Sequence, residues 1–183
     1  DADVTITVNP NQTFILDWGG TGTESDPYMI YNKEQLDLLA SSMTNPYIYN
    51  SYGPDQDHPD GYFFKLGADI VYPYTSSTDN NFTPIGNGYP YPPFQGNFDG
   101  DGHTISGIRI NGDNSQGLFG ELYGTVKNVI LADAVITGSS YIGGIAGYNG
   151  GTIKDNLVIG TTSSATDDYG AICGSNNGTL ERN

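Results

Sequence analysis

Gly117-Leu118-Phe119-Gly120 returns as Gly144-Ile145-Ala146-Gly147 and again as Ala171-Ile172-Cys173-Gly174. Gly124-Thr125-Val126 returns as Gly151-Thr152-Ile153 and as Gly178-Thr179-Leu180. Both series step by 27 residues (117, 144, 171; 124, 151, 178). A constant period of this size marks a solenoid, in which one coil cannot bury its apolar face without its neighbours. Between the markers lie short β-branched runs such as Val126–Leu131 and Ala134–Thr137, separated by Gly, Asn, Asp and Ser. These runs are too short for helices, and the residues between them form turns.

Successive coils of such a chain pair as parallel strands, so equivalent residues stack. Leu118, Ile145 and Ile172 are one expected inward column, and Val126, Ile153 and Leu180 another. Gly120, Gly147 and Gly174 mark a corner with no room for a Cβ. One earlier coil is read by matching His103–Ile110 to Gly124–Leu131. The step from Thr104 to Thr125 is 21, six short of 27, which predicts a narrower side at the N-terminal end.

Working outward, Val4, Ile6 and Val8 alternate with Thr5 and Thr7 as a strand. Lys33 to Ser42 is the one convincing helix, with Asn32 as N-cap and Gln35 three residues on. Leu36, Leu39, Ala40 and Met43 share a face, which suits a cap over the open first coil. Two aromatic, proline-rich excursions, 44–61 and 72–94, interrupt the pattern. The expected organisation is a single β-solenoid domain over 1–183. Residues 1–20 form an N-terminal strand and linker, 21–101 the cap helix and irregular first coils with long loops, and 102–183 the regular coils. The chain starts at Asp1 and stops at Asn183 partway through a coil, so a fragment of a longer protein is expected.

Composition narrows the function classes. Hydrophobic residues are 36% of the chain, with 26 glycines and 14 tyrosines, which suits a thin solenoid better than a thick core. Six Lys and Arg against 21 Asp and Glu give a net charge of −15. Nucleic-acid binding needs clustered cations, and an anionic membrane surface is disfavoured likewise. No apolar run spans a bilayer. With one cysteine, Cys173, no intrachain disulfide forms, and neither His58 nor His103 falls in its coil to make a nucleophile pair.

Candidate chemistry is sparse. Asp99 and Asp101 could offer two carboxylates to Ca²⁺, but the rest of an EF-hand ligand series is absent and a Gly-Asp turn explains them. Asp55 with Asp57, and Asp167 with Asp168, sit too close in sequence for the separation glycoside hydrolysis needs. Lys127 and Lys154 fall in register, where a lyase base could stand, but a same-sign column is more often a tolerated surface feature than a site. No catalytic residue, metal set or cofactor is assigned. The tyrosines Tyr72, Tyr74, Tyr89 and Tyr91 of the second excursion are the candidate ligand-binding residues, since rings on proline-stiffened loops suit sugar or protein contact.

An ordered series completes the reading: Gly22–Tyr28, the Leu-rich helix, Phe64–Ile70, Phe82–Gly86, Phe94–Ile105 and Gly117–Gly120. It resembles the GLUG-repeat proteins of bacterial cell surfaces, over roughly residues 20 to 183. Modules similar to it flank the catalytic domain of some immunoglobulin-cleaving metallopeptidases. The resemblance implies a right-handed parallel β-helix, an extracellular or bacterial cell-surface location, and adhesion or binding. It brings no catalytic residues. The expectation is an all-β solenoid of about 27 residues per coil with one short capping helix, acting as a non-catalytic module for a cell-surface glycan or protein. A polysaccharide lyase or glycoside hydrolase is the alternative, and a structural spacer the third.

Overall fold

The computed structural model describes residues 18–44, 52–74, 80–88 and 90–183. The expected strand around Val4 to Val8, and Tyr89, lie outside the described residues.

Runs of three or four β-formers closed by turn residues allow only short strands, and each full coil contains five. One coil runs Thr125–Lys127, Ile130–Ala132, Val135–Thr137, Ser140–Gly143 and Ala146–Asn149. The next repeats it at Thr152–Lys154, Leu157–Ile159, Thr162–Ser164, Tyr169–Gly170 and Cys173–Asn176. Each strand pairs in parallel with its equivalent: Val126 opposite Ile153, Leu131 opposite Val158, Ala146 opposite Cys173. Stacking converts the five positions into five parallel sheets of six, four, three, three and three strands. The first to fifth faces are named here in the order the chain visits them. Over the described residues the chain is therefore an all-β solenoid with 27-residue coils and one short helix.

The interior is a single apolar column. Leu118, Val126, Leu131, Ile136, Ile145 and Ile153 are fully buried, and Phe64, Phe94, Phe98 and Phe119 continue it toward the N-terminus. The corner glycines behave as expected, for a steric reason. A Cβ on Gly147 would lie 2.4 Å from the Ser115 carbonyl carbon, and one on Gly174 2.4 Å from the Ile142 nitrogen.

A different column uses backbone conformation. Asp101, Asn128, Asp155 and Arg182 each have φ between 50° and 56° and stand 27 residues apart (101, 128, 155, 182). They turn the chain from the first face to the second, a left-handed position that Asn and Asp tolerate. Just beyond, the buried Asn156 amide donates to Val126 O (3.2 Å) and Lys154 O (2.9 Å), and its Oδ1 accepts from Val129 N (2.9 Å). Asn183 repeats the pattern one coil on, accepting from Asn156 N (3.0 Å).

Strand pairing corrects the register expected for the earlier coil. Phe98 stands opposite Val126, and Ile105 opposite Leu131. That coil begins at Asn97, spans 28 residues (97 to 125), and is not narrowed. His103–Ile110 and Gly124–Leu131 look alike because both are strand, turn, strand. The true equivalent of Val126 is the aromatic Phe98, which fills the same inward site.

The helix Lys33–Ser42 follows Tyr28–Ile30, the end strand of the six-stranded sheet. Asn32 Oδ1 accepts from Gln35 N (2.9 Å), while Gln35 Oε1 reaches back to Tyr31 N (2.7 Å), one residue beyond the usual capping-box partner. Leu36, Leu39, Ala40 and Met43 are buried in the common core. The second face has no strand from this coil, its end strand being Ile70–Val71, so the helix stands where the solenoid would otherwise be open. The opposite end has no such cover among the described residues. Ile172 is only partly buried and Leu180 is 43% exposed, unlike their equivalents Ile145 and Ile153.

Candidate functional site

The described tyrosines of the second excursion, Tyr72, Tyr74 and Tyr91, are not displayed as a set. The Tyr72 ring is 1% exposed, and its hydroxyl donates to Asp37 Oδ1 (2.7 Å) on the helix. Burial, then the Asp37 bond, push its phenol well above the ordinary range. Tyr72 is a packing residue that ties the excursion to the cap through Asp37, and Phe82 meets its ring edge-on. Tyr74 is 50% exposed, but one face of its ring covers the Arg109 guanidinium at 3.6 Å. Arg109 is itself buried and donates from Nη1 to Ile108 O (2.9 Å) and Asp133 O (2.5 Å). Tyr91 is half-buried, with its N–H on Gly88 O (2.6 Å).

The excursion instead completes the second coil. Asn81 N donates to Arg109 O (3.0 Å), and Asn81 Oδ1 accepts from Arg109 N (2.7 Å), so this side chain stands in for a missing strand on the third face. Ile85 bridges to Phe119 and Phe94 to Leu122. Between this segment and the third and fourth faces lies a hollow of about 590 Å³, lined by Asn80, Thr83, Asn87, Asn111, Asn114 and Glu121 among others.

Two further hollows adjoin it. One of about 590 Å³ shares Asn80, Phe82 and Thr83 and runs to Glu34, Asp37 and Ser41 on the helix. The other, of about 400 Å³, shares Asn111 and Gly112 and runs over Thr137, Ser139, Ser164 and Thr166. The shared linings make one groove along the solenoid. Its regular part follows from register, since Asn111, Thr137 and Ser164 stand opposite one another on successive coils. The wall is amide and hydroxyl, with carboxylates Glu34, Asp37, Asp113 and Glu121, and no Lys or Arg among the described residues lines it. Burial raises the Glu121 carboxyl above the ordinary range. Asn87 Oδ1 is buried in this wall with no donor among the described residues.

The other candidate positions are structural. Asp99 Oδ1 accepts from Asn128 Nδ2 and Asp101 N (both 2.9 Å), and Oδ2 meets Lys127 Nζ at 3.1 Å. Burial alone would raise this carboxyl, but these donors outweigh it and hold it below the ordinary value. Asp101 pairs with Lys65 at 3.0 Å. Lys65, Asp99, Lys127, Lys154 and Glu181 thus form one outer row on the first face, and each of the three lysines has an acidic neighbour in it. Asp55 closes its own turn, accepting from Asp57 N, His58 N and the Tyr62 hydroxyl. Among the described residues no three His, Cys, Asp or Glu are placed to hold a metal ion. Burial pushes the Cys173 thiol up to about 11, so it stays protonated and inert at neutral pH.

Two features escaped the sequence reading. The groove was signalled by Asn, Thr and Ser recurring at one rung, visible only once the register is known. Tyr123 and Tyr148 form an outward ring pair at 5.8 Å, with Asn177 Nδ2 donating to the Tyr148 hydroxyl (2.8 Å).

No protein-family model matches the chain. It is 36% identical over 137 residues to Halomucin of Haloquadratum walsbyi, covering 70% of this chain and 1% of that protein. It is 31% identical over 139 residues to a protein of Evansella cellulosilytica described as a Gly-rich membrane protein, covering 72% of this chain and 14% of the relative. The chain thus spans a small part of the curated relatives it matches. A crystal structure assigned to an immunoglobulin A1 protease of Bacteroides ovatus superposes with a TM-score of 0.51, over 88% of this chain and 66% of that one, at 18% identity. That likeness speaks for the fold. Among the described residues no helix is long and apolar enough to cross a membrane.

Proposed function

We propose that this chain is a non-catalytic extracellular module of a surface protein, and that it binds a ligand along the flank built by the 72–94 excursion. The carrying observation is the groove itself, a long concave surface on which Asn111, Asn114, Ser139 and Ser164 are exposed, while Thr137 and Thr166 give their hydroxyl protons to neighbouring coils. Relatives named Halomucin and a Gly-rich membrane protein support a surface setting, in line with the resemblance to GLUG-repeat proteins. Tyr74 and Tyr91 flank the groove-forming segment and serve as aromatic contacts, with Tyr89 beside them in sequence. Tyr72 supports the wall from behind. Replacing Asn111 and Asn114 together by Ala is expected to weaken binding to purified cell-surface polysaccharide about tenfold, the equivalent of one or two lost hydrogen bonds, with the melting temperature unchanged. Unaltered affinity in that variant rejects the groove as the site.

One observation favours a hydrolase as second reading. Glu121, its carboxyl raised by burial, lines the same hollow as Asp113. Two carboxyls lining one hollow, one of them raised by burial, are the kind of pair that glycoside hydrolysis uses. Release of reducing ends from polysaccharide, abolished in Glu121→Gln, would replace the binding reading by this one.

A further inference from the structure

The groove follows the axis of the solenoid, and its polar groups recur once per coil. Asn111, Thr137 and Ser164 occupy one rung on three successive coils, and Asn81 holds the corresponding edge one coil earlier. Strand spacing sets the repeat at about 4.8 Å, so from the helix to the last coil the groove covers four such steps, roughly 19 Å. A ligand that exploits this must be linear, extended and itself periodic at about the same step, with groups that both donate and accept. Asn111 and Ser164 offer both roles, and Thr137, whose proton goes to Ile110 O and Asn111 Oδ1, offers an acceptor. The charges narrow the class further. The groove carries Glu34, Asp37, Asp113 and Glu121 and no lining cation among the described residues, so carboxylated or sulfated chains meet repulsion with nothing to offset it.

We infer that the groove holds a linear, uncharged polysaccharide lying parallel to the solenoid axis, about one sugar unit per coil. This rests on the binding reading above and adds to it orientation, length and charge class. A chain crossing the coils would meet a single rung and gain nothing from length. A chain along the axis gains contacts with each added unit until the groove is full.

The test is calorimetric titration with β-1,4-linked glucose and N-acetylglucosamine oligomers of about two to six units, one unit per rung being the quantity examined, beside oligogalacturonates of equal length. Affinity for at least one neutral series is expected to climb several-fold per unit and level off at about four or five units, when the rungs are filled. Oligogalacturonates are expected to bind at least tenfold more weakly than that series. Ser164→Leu fills the far hollow at an exposed strand position. It should leave the shortest oligomers unaffected and abolish the gain from the longest, whereas Ser164→Thr, which keeps the hydroxyl, should preserve it. Length-independent binding, or an unchanged profile in Ser164→Leu, overturns the axial assignment while leaving a binding module in place. Preference for oligogalacturonates overturns the charge class. Binding to no oligomer, with binding to a protein alone, overturns the inference entirely.

Discussion

Gly147 and Gly102 show how differently two glycines constrain this chain. A Cβ at Gly147 would strike the backbone of Ser115 one coil away, so Gly147→Ala must push two coils apart. Gly102 has φ near +81° and nothing within 4 Å of an added Cβ. We expect Gly147→Ala to cost about 2–3 kcal/mol, as overpacking does, and Gly102→Ala about 1 kcal/mol, the conformational penalty alone. Urea unfolding of both variants checks the order, and equal losses would remove close approach as the reason for the corner glycine. Single carboxylates carry a pH signature. Asp69 accepts from Thr104 N (2.8 Å) and His103, and Asp155 from Arg182, and each carboxyl is held below its ordinary value by those donors. A depressed folded pKa means stability that is present above the unfolded value of about 3.9 and is lost as pH falls through the folded one. These two carboxylates should therefore lower the urea midpoint as pH falls below about 4. In Asp69→Asn the acid drop should shrink, and an identical profile would show that this turn contributes nothing to it.

The helix is the element most legible in the sequence. Asn32, Gln35 and the spacing of Leu36, Leu39, Ala40 and Met43 located it to the residue, because capping and a 3.6-residue stripe are local signals. Asn32→Ala should cost about 1 kcal/mol and Leu39→Ala about 3 kcal/mol, both read from thermal melts. A neutral Leu39→Ala would mean the helix covers no core. The excursion was the least legible element. Its prolines and tyrosines say that the loop is stiff and aromatic, but not which way each ring turns. Tyr72 points inward because Asp37 lies 35 residues earlier in the chain, and no local pattern carries that information. The groove was hidden for a related reason, since its rungs are assembled from different coils and exist only after the register is fixed.

At the scale of the whole molecule, the 27-residue period was enough to predict the solenoid, the inward columns and the corner glycines. It failed at the coil beginning at Asn97, where Phe98 replaces the aliphatic residue that would have revealed the register. Because each coil rests on its neighbours, position along the axis should grade the damage from one and the same change. Ile145→Asp buries a carboxylate between two coils and is expected to cost several kcal/mol, on the order of the whole stability of a domain. Ile172→Asp, in the last described coil and only partly buried, should lose less than half as much, and comparable losses would contradict the open end. The stacking register also governs how this chain can change its length. Excising 125–151 joins Gly124 to Thr152 and removes 27 residues, leaving each inward side chain inward and each corner glycine at a corner. Excising one residue fewer turns the side chains of the joined strand over, core face to solvent. Within the strands, insertions and deletions are thus quantised at a whole coil, and only the segments between strands, as in the 34-residue step from Phe64 to Phe98, take up a fraction of one.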